Sequence, residues 1–387
     1  MNPIKRKYVI LRKKNSGPID VTAGPKFEAK STGTISVDTS DVDPQELSTL
    51  RSDNTIMSFA PAMPFKLIQP TESKASNQED NSWGIEKIGA NNSDMDGSNI
   101  TVAVLDTGID DTHPAFKSVP LEIKDFTGDG LGDQNGHGTH CAGTIFGADI
   151  NNKRIGVARN IKKALIGKVL GSNGGDSQSI VQAIYWAMNN GANVISMSLG
   201  IDFPGYVQYL VDNHDIEVNA ATSMALESYR LNVDLFESIE NVVKAQSILN
   251  NDPCLIIAAS GNESKRPNYQ IATAPPAVSA GILSVAAIDK NSKVANFSNN
   301  KADISGPGVD ILSAKSGGGL QLMSGTSMAT PHVAGVAALW AQQLKASGAF
   351  TVDNLIAQLR ANAINNFTGF NLIDHGAGIV KAPQVLT

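Results

Sequence analysis

Thr101-Val102-Ala103-Val104-Leu105 shows no alternation of apolar and polar residues and stops on Asp106, Thr107 and Gly108. A strand with one wet face alternates; one that is apolar at every position is covered on both faces, as in a parallel sheet between helical layers. Similar runs recur at Ile161 to Val169, Gly191 to Gly200 and Cys254 to Ala258, and Gln178 to Asn189 between them has Ile180, Ile184 and Ala187 at helical spacing. Strands alternating with helices predict an α/β fold: a doubly wound, mostly parallel sheet with helices on both faces. Such sheets take their ligands at the carboxyl ends of the strands, which is where Asp106 falls.

Two further stretches carry chemistry. Gly132 to Thr144 is a loop entering a helix with His137 and His140 three residues apart, and Gly325 to Gly335 puts the primary hydroxyl of Ser327 at the entrance of an apolar helix. Gly325 and Ala329 are small enough for other backbone to approach, and Pro331 suits a first turn whose N–H groups lack partners. Negative charge is stabilised at such a helix start. Taken alone, Ser327 reads as an N-cap. Together with Asp106 and a histidine it completes an acid, a base and a nucleophile.

The order Asp, His, Ser with these flanks resembles the subtilisin-like serine proteases, the subtilases, from about Trp83 to about Pro383. The resemblance implies that Ser327 attacks a peptide carbonyl, that His137 takes its proton, and that Asp106 orients the imidazole. His140 is then a packed helix residue. Cys141 reads as a small core residue; the sharper alternative is sensitivity to mercury or oxidants, as in relatives with a thiol there. Ser198-Leu199-Gly200 matches the family's open strand edge, which pairs with substrate backbone and favours polypeptides over small esters. Asn262 and the Ser327 N–H match the donors of an oxyanion hole. Ala259, Ser260, Gly261 and Ala274 match further substrate contacts, with Glu263 near the rim of the specificity pocket and a cis bond expected before Pro276. An apolar or aromatic preference follows, with some tolerance for a basic side chain. Where tight calcium binders carry an acid after a His-Pro pair this chain has Ala115, and Lys153 and Arg154 stand in the matching loop, so no metal is expected at that site. No cofactor is implied.

At 387 residues and 41% hydrophobic content the chain can bury a large core. Thirty-one basic against 37 acidic residues, a net charge of −6, give no case for nucleic-acid binding. Two cysteines, Cys141 and Cys254, leave a disulfide open, but so sparse a count suits a cytosolic protein or a fold that needs none. The basic start at Lys5 to Lys14 encloses only Tyr8-Val9-Ile10-Leu11, shorter than the roughly seven apolar residues of a signal peptide, and reads as a strand. No stretch approaches the roughly 18 apolar residues of a membrane span. The expected partner is therefore a polypeptide and not a membrane, the expected state a monomer, and the address cytoplasmic, with non-classical export as the alternative.

Residues 1–70 hold short periodic pieces: Thr34 to Val37 as strand, Asp43 to Leu47 as a capped helix start, and Thr55 to Ile68 as an apolar segment broken by Pro61 and Pro64. Their place ahead of the subtilase-like region implies, by the resemblance, a small α+β, prodomain-like segment that assists folding and inhibits the protease intramolecularly; the alternative is an unrelated accessory domain. Residues 71–82 are polar and read as a linker, with processing expected between about Gln69 and Ser82. Residues 83–387 form the catalytic domain, in which 201–230 is an insertion beside the substrate edge, read as a cover for the cleft or as a plain surface excursion. The function expected is a self-processing serine endopeptidase; the alternative is a self-cleaving or inhibited subtilase-fold protein that acts as a binding or regulatory partner. A lipase-like Gly-x-Ser-x-Gly elbow is not met by Gly325 to Ala329.

Overall fold

The computed structural model describes residues 5–14, 35–68, 82–201 and 203–384. The amino end folds into an antiparallel sheet of order β2-β1-β3, from β1 (Arg6–Lys13), β2 (Ile35–Val42) and β3 (Ile56–Pro61). Alternation along β1 decides its two faces. Val9 and Leu11 enter the main core, while Tyr8 and Ile10 pack with Leu47 and Leu50 of α1 (Leu47–Ser52). Asp43 and Glu46 exchange hydrogen bonds ahead of α1, a capping box. Pro61 and Pro64 split the following apolar stretch, so that β4 (Pro64–Leu67) leaves the first sheet for another.

After α2 (Trp83–Lys87) come β5 (Thr101–Asp106), β6 (Leu121–Asp125), α3 (His137–Phe146) and β7 (Lys163–Lys168). Next follow β8 (Gly175–Asp176), α4 (Ser177–Asn189), β9 (Val194–Met197), β10 (Leu199–Ile201), α5 (Phe203–His214) and α6 (Val218–Asn250). The remainder supplies β11 (Leu255–Ala259), β12 (Leu283–Ile288), β13 (Ile304–Pro307), β14 (Ile311–Ala314), β15 (Leu320–Met323), α7 (Thr326–Ala346) and α8 (Val352–Ala361).

Seven strands form one parallel sheet of order β13-β12-β11-β9-β5-β7-β6. Val102 and Val104 pack on the side of α3 and α7, and Ala103 and Leu105 on the side of α4 and α6. Both faces are therefore covered, which is why β5 has no polar alternation. The chain builds one side of β5 with β7 and β6, then returns to build the other from β9. Connections leaving β5 and β9 diverge, and the crevice between their carboxyl ends receives the site.

The segment from 201 to 250 differs from its sequence reading. Residues 201–230 read as an insertion, but α6 starts at Val218 within them and runs on to Asn250, and its buried face includes Leu235, Phe236, Ile239 and Val243 whereas Leu249 is 75% exposed. That buried face shares a core with Val9, Leu11 and Ala60 of the amino-terminal sheet. Cys141 and Cys254 are free and buried. Among the described residues no helix is long and apolar enough to cross a membrane.

Candidate active site

Asp106 ends β5 and is 1% exposed. Its Oδ1 accepts from the Thr107 N–H and meets His137 Nδ1, both at 2.7 Å. His137 opens α3, and the helix can start this close to β5 only because the next residue lacks a side chain. A Cβ on Gly138 would lie 2.2 Å from the Gly108 carbonyl oxygen. Burial pushes the His137 pKa down, but the Asp106 carboxylate outweighs it and holds the imidazole well above its ordinary value. With Nδ1–H directed at Asp106, Nε2 carries the free lone pair, and among the described residues no hydrogen-bond partner reaches it.

Ser327 is the second residue of α7, and its Oγ donates to the Ile68 carbonyl at 3.2 Å. Cys141 connects the two halves of the site: its Sγ lies 3.8 Å from His137 Nδ1 and 3.4 Å from the Ser327 carbonyl oxygen. The Ser198 hydroxyl donates to the same carbonyl at 3.2 Å. Burial raises the Cys141 pKa, so the thiol stays protonated and serves as a donor. His140 faces elsewhere, with Nε2 donating to Ile311 O and Gln321 O, and burial pushes its pKa down to about 3. It is a neutral tie from α3 to β14 and β15.

Asn262 is oriented by its neighbours. Its Oδ1 accepts from the Thr326 N–H and hydroxyl, each at 2.9 Å, which leaves Nδ2 on the side of Gly325. Thr326 Oγ1 also accepts from Gly261 N–H. Gly261 holds φ +113, and a Cβ there would meet the side chains of Asn299 and Glu263 within 2.4 Å, so the residue must be glycine.

The cleft is filled by the chain's own residues 64–68. β4 lies between two rims, antiparallel to β10 (Leu67 opposite Leu199, Lys66 opposite Gly200, Phe65 opposite Ile201) and to β8 (Phe65 opposite Gly175). The ladder on the first rim is thus Leu199–Ile201, while Ser198 turns its hydroxyl to the Ser327 carbonyl. Phe65 is buried edge-on against Phe236 of α6, ring centroids 5.6 Å apart. Ile68 lies over Gly200, where a Cβ would be 3.6 Å from its Cδ1. The Ile201 N–H bonds the Pro275 carbonyl, Ala274 beside it is half-buried, and the Pro275–Pro276 peptide is cis, as is Arg266–Pro267, which no sequence feature announced. Ser260 and Gly261 direct their hydrogen bonds to Val285, Asn299 and Thr326, and Ala259 pairs within the sheet; among the described residues none of these bonds goes to residues 64–68. Glu263 accepts from Asn299 Nδ2 at 2.7 Å.

Sequence reasoning missed β8, Phe236, Thr326 and the buried Asp133 and Lys168. The glycines between Gly171 and Gly175 were the available signal for β8, since a second rim needs a tight turn. For the others only the fold brings the partners together.

A buried imidazole oriented by an acid, a serine at a helix entrance and an edge that pairs with extended backbone define the class: an α/β serine peptidase. A model of the subtilase family matches residues 97–379. The chain is 36% identical over 274 residues to an intracellular serine protease of Paenibacillus polymyxa, covering 68% of this chain and 73% of that one. To subtilisin Savinase of Lederbergia lenta it is 35% identical over 312 residues, 78% of this chain and 96% of that one. The chain belongs to the subtilase family and is a subtilisin-like serine peptidase.

Proposed function

We propose that this chain is an endopeptidase that works through an acyl-enzyme and is made as a zymogen whose first substrate is its own amino-terminal segment. The observation carrying this reading is the hydrogen bond from Ser327 Oγ to the Ile68 carbonyl at 3.2 Å, with β4 held between two rims. Ser327 Oγ bonds to the carbonyl carbon while its proton passes to His137 Nε2, and Asp106 stabilises the imidazolium. The Asn262 amide and the Ser327 N–H receive the oxyanion. Its collapse expels the amine, which takes the proton from His137, and water then cleaves the ester by the same steps.

The scissile bond in this reading is Ile68–Gln69, at the start of the interval expected from sequence; residues 69–81 lie outside the described ones. The pocket formed by Gly200 and Pro275 then takes a medium apolar side chain, and the pocket walled by Phe236 takes an aromatic one three residues earlier. Phe65→Ala should slow self-cleavage of the full chain about 10–100-fold, since truncating a buried aromatic costs about 3–5 kcal/mol and only part is recovered in the transition state. Intact mass over time measures this. A new amino terminus at any residue other than Gln69 would sink the assignment.

We read residues 201–230 as a seat for this segment and not as a lid. Arg6 donates to the Ser228 hydroxyl at 3.1 Å and lies 3.6 Å from Glu227, and just beyond this stretch on the same helix Asn232 donates to the Pro61 carbonyl at 2.9 Å. These contacts also favour a second reading, a chain that cuts itself once and stays blocked. Cleavage of added casein by the processed protein decides between them.

Asn262→Ala should lower kcat about 10²–10³-fold, the loss associated with such a donor in subtilisin, a relative, with KM little changed. Steady-state kinetics on a peptide check it. For the loop 148–156 we infer an internal cation in place of a metal. The Arg154 guanidinium donates to the carbonyls of Gly156 and Val157, which does not fit a divalent ion sharing those oxygens. We assign the cytoplasm as its compartment, following the intracellular Paenibacillus relative, and a monomer acting on extended polypeptide.

A further inference from the structure

Asp133 is a buried carboxylate that the peptidase reaction does not use, and its bonds surround the two groups that the reaction does use. Its Oδ1 accepts from Thr107 Oγ1 at 2.8 Å, Gly136 N at 2.8 Å and Asn135 N at 3.1 Å. Its Oδ2 accepts from Thr139 N at 2.8 Å and Thr139 Oγ1 at 2.7 Å. Thr107 follows Asp106, Gly136 precedes His137, and Thr139 lies two residues beyond it. Thr107 Oγ1 also accepts from Gly138 N at 2.9 Å, so the end of β5 and the start of α3 are closed into one ring.

The loop before Asp133 has its own anchor. Lys168, 1% exposed and in register with Asp106, donates to Gly130 O and Gly132 O at 3.0 Å and to Gln134 Oε1 at 2.7 Å. Residues 130–136 are thereby held between a buried ammonium and a buried carboxylate.

We propose that Asp133 is a positioning residue for the peptidase reaction, setting the separation of Asp106 and His137 through Thr107, Gly136 and Thr139. A plain helix cap would account for the bonds to Gly136 and Thr139, because Gly136 has no side chain with which to cap α3. It does not account for Thr107, which lies on another element beside Asp106. Each carboxylate oxygen faces at least one backbone N–H that cannot reverse. An asparagine in either orientation would set an NH2 against one of them, so only the charged form satisfies the ring.

The test compares Asp133→Asn, Thr107→Val and Thr107→Ser in the full chain, with open sites titrated by a fluorophosphonate, kcat and KM measured on a peptide, and kcat/KM followed against pH. Expected for Asp133→Asn is a fall in kcat per titrated site of about 10–100-fold, the order that follows a displacement of about 1 Å in a catalytic group, with KM near that of the unaltered protein. The groups facing His137 are Asp106 and Cys141, with His140 one turn along α3. As the contact with Asp106 slackens, the acid limb of the profile should move to lower pH. Thr107→Val should act in the same direction, and Thr107→Ser should restore most of the loss. If Asp133→Asn does not fold, the threonine pair still decides. Unaltered kcat per site and an unmoved acid limb, in Asp133→Asn or in Thr107→Val, would overturn the proposal even if thermal stability fell.

Discussion

Ser327→Ala is expected to lower kcat by about 10⁶-fold, the scale seen when the nucleophile of a serine peptidase is removed, and to leave the chain uncut after Ile68. The size follows from what remains. Without Oγ there is no covalent intermediate, His137 has no proton to take, and only binding and oxyanion donation act on the peptide bond. Ser327 Oγ touches the Ile68 carbonyl, so the variant should keep the same folded arrangement and become a trapped enzyme–substrate pair. Intact mass and fluorophosphonate labelling, run beside the unaltered protein, measure both effects. Cleavage at Ile68–Gln69 in the purified variant at an unreduced rate would assign the cut to another nucleophile.

Asp106→Asn should lower kcat by about 10⁴-fold while leaving the fold intact. The amide could present N–H to His137 Nδ1, favour the wrong tautomer and put a hydrogen where Nε2 must accept one. The pH dependence has a definite sign. The base works neutral, so activity is lost as pH falls through the raised His137 pKa, and the acid limb of kcat/KM should lie above the ordinary value of 6.5. In Asp106→Asn burial still pushes the pKa down with no carboxylate to oppose it, and the residual activity should have its acid limb at lower pH. An acid limb at the same pH in both proteins would separate it from His137. Stability runs the opposite way to activity. The charged pair stabilises the fold fully below the unfolded histidine value and loses this contribution as pH rises through the folded pKa. The pH range in which the enzyme works is therefore one in which the pair adds least to stability.

The candidates for the chemistry were legible because each is announced locally. An unbroken apolar run ending on Asp106 marks a doubly covered strand, and His137 and Ser327 stand at helix entrances whose small neighbours, Gly138 and Gly325, give away close packing before any contact is known. Helix length in the 201–250 region was not legible in the same way. Val218 to Arg230 has too weak an apolar stripe to declare itself, and it is helical because Ala221, Ala225 and Ser228 are buried once α5 and the amino-terminal sheet have docked.

What the sequence by itself determined is the layered α/β fold, the family, and which residues stand as candidates for acid, base and nucleophile, since strand covering, helix starts and family motifs are properties of adjacent residues. What only the tertiary structure decided is how they are held and what occupies them. Asp133 read as a loop acid and Lys168 as a strand residue. Their partners lie 26 residues away at Thr107 and 38 away at Gly130, and come within bonding distance only after β5 and β7 pair and α3 docks. Ile68 likewise reaches Ser327, 259 residues along the chain, because β4 completes a sheet with β8 and β10, whose edges exist only once the domain has closed.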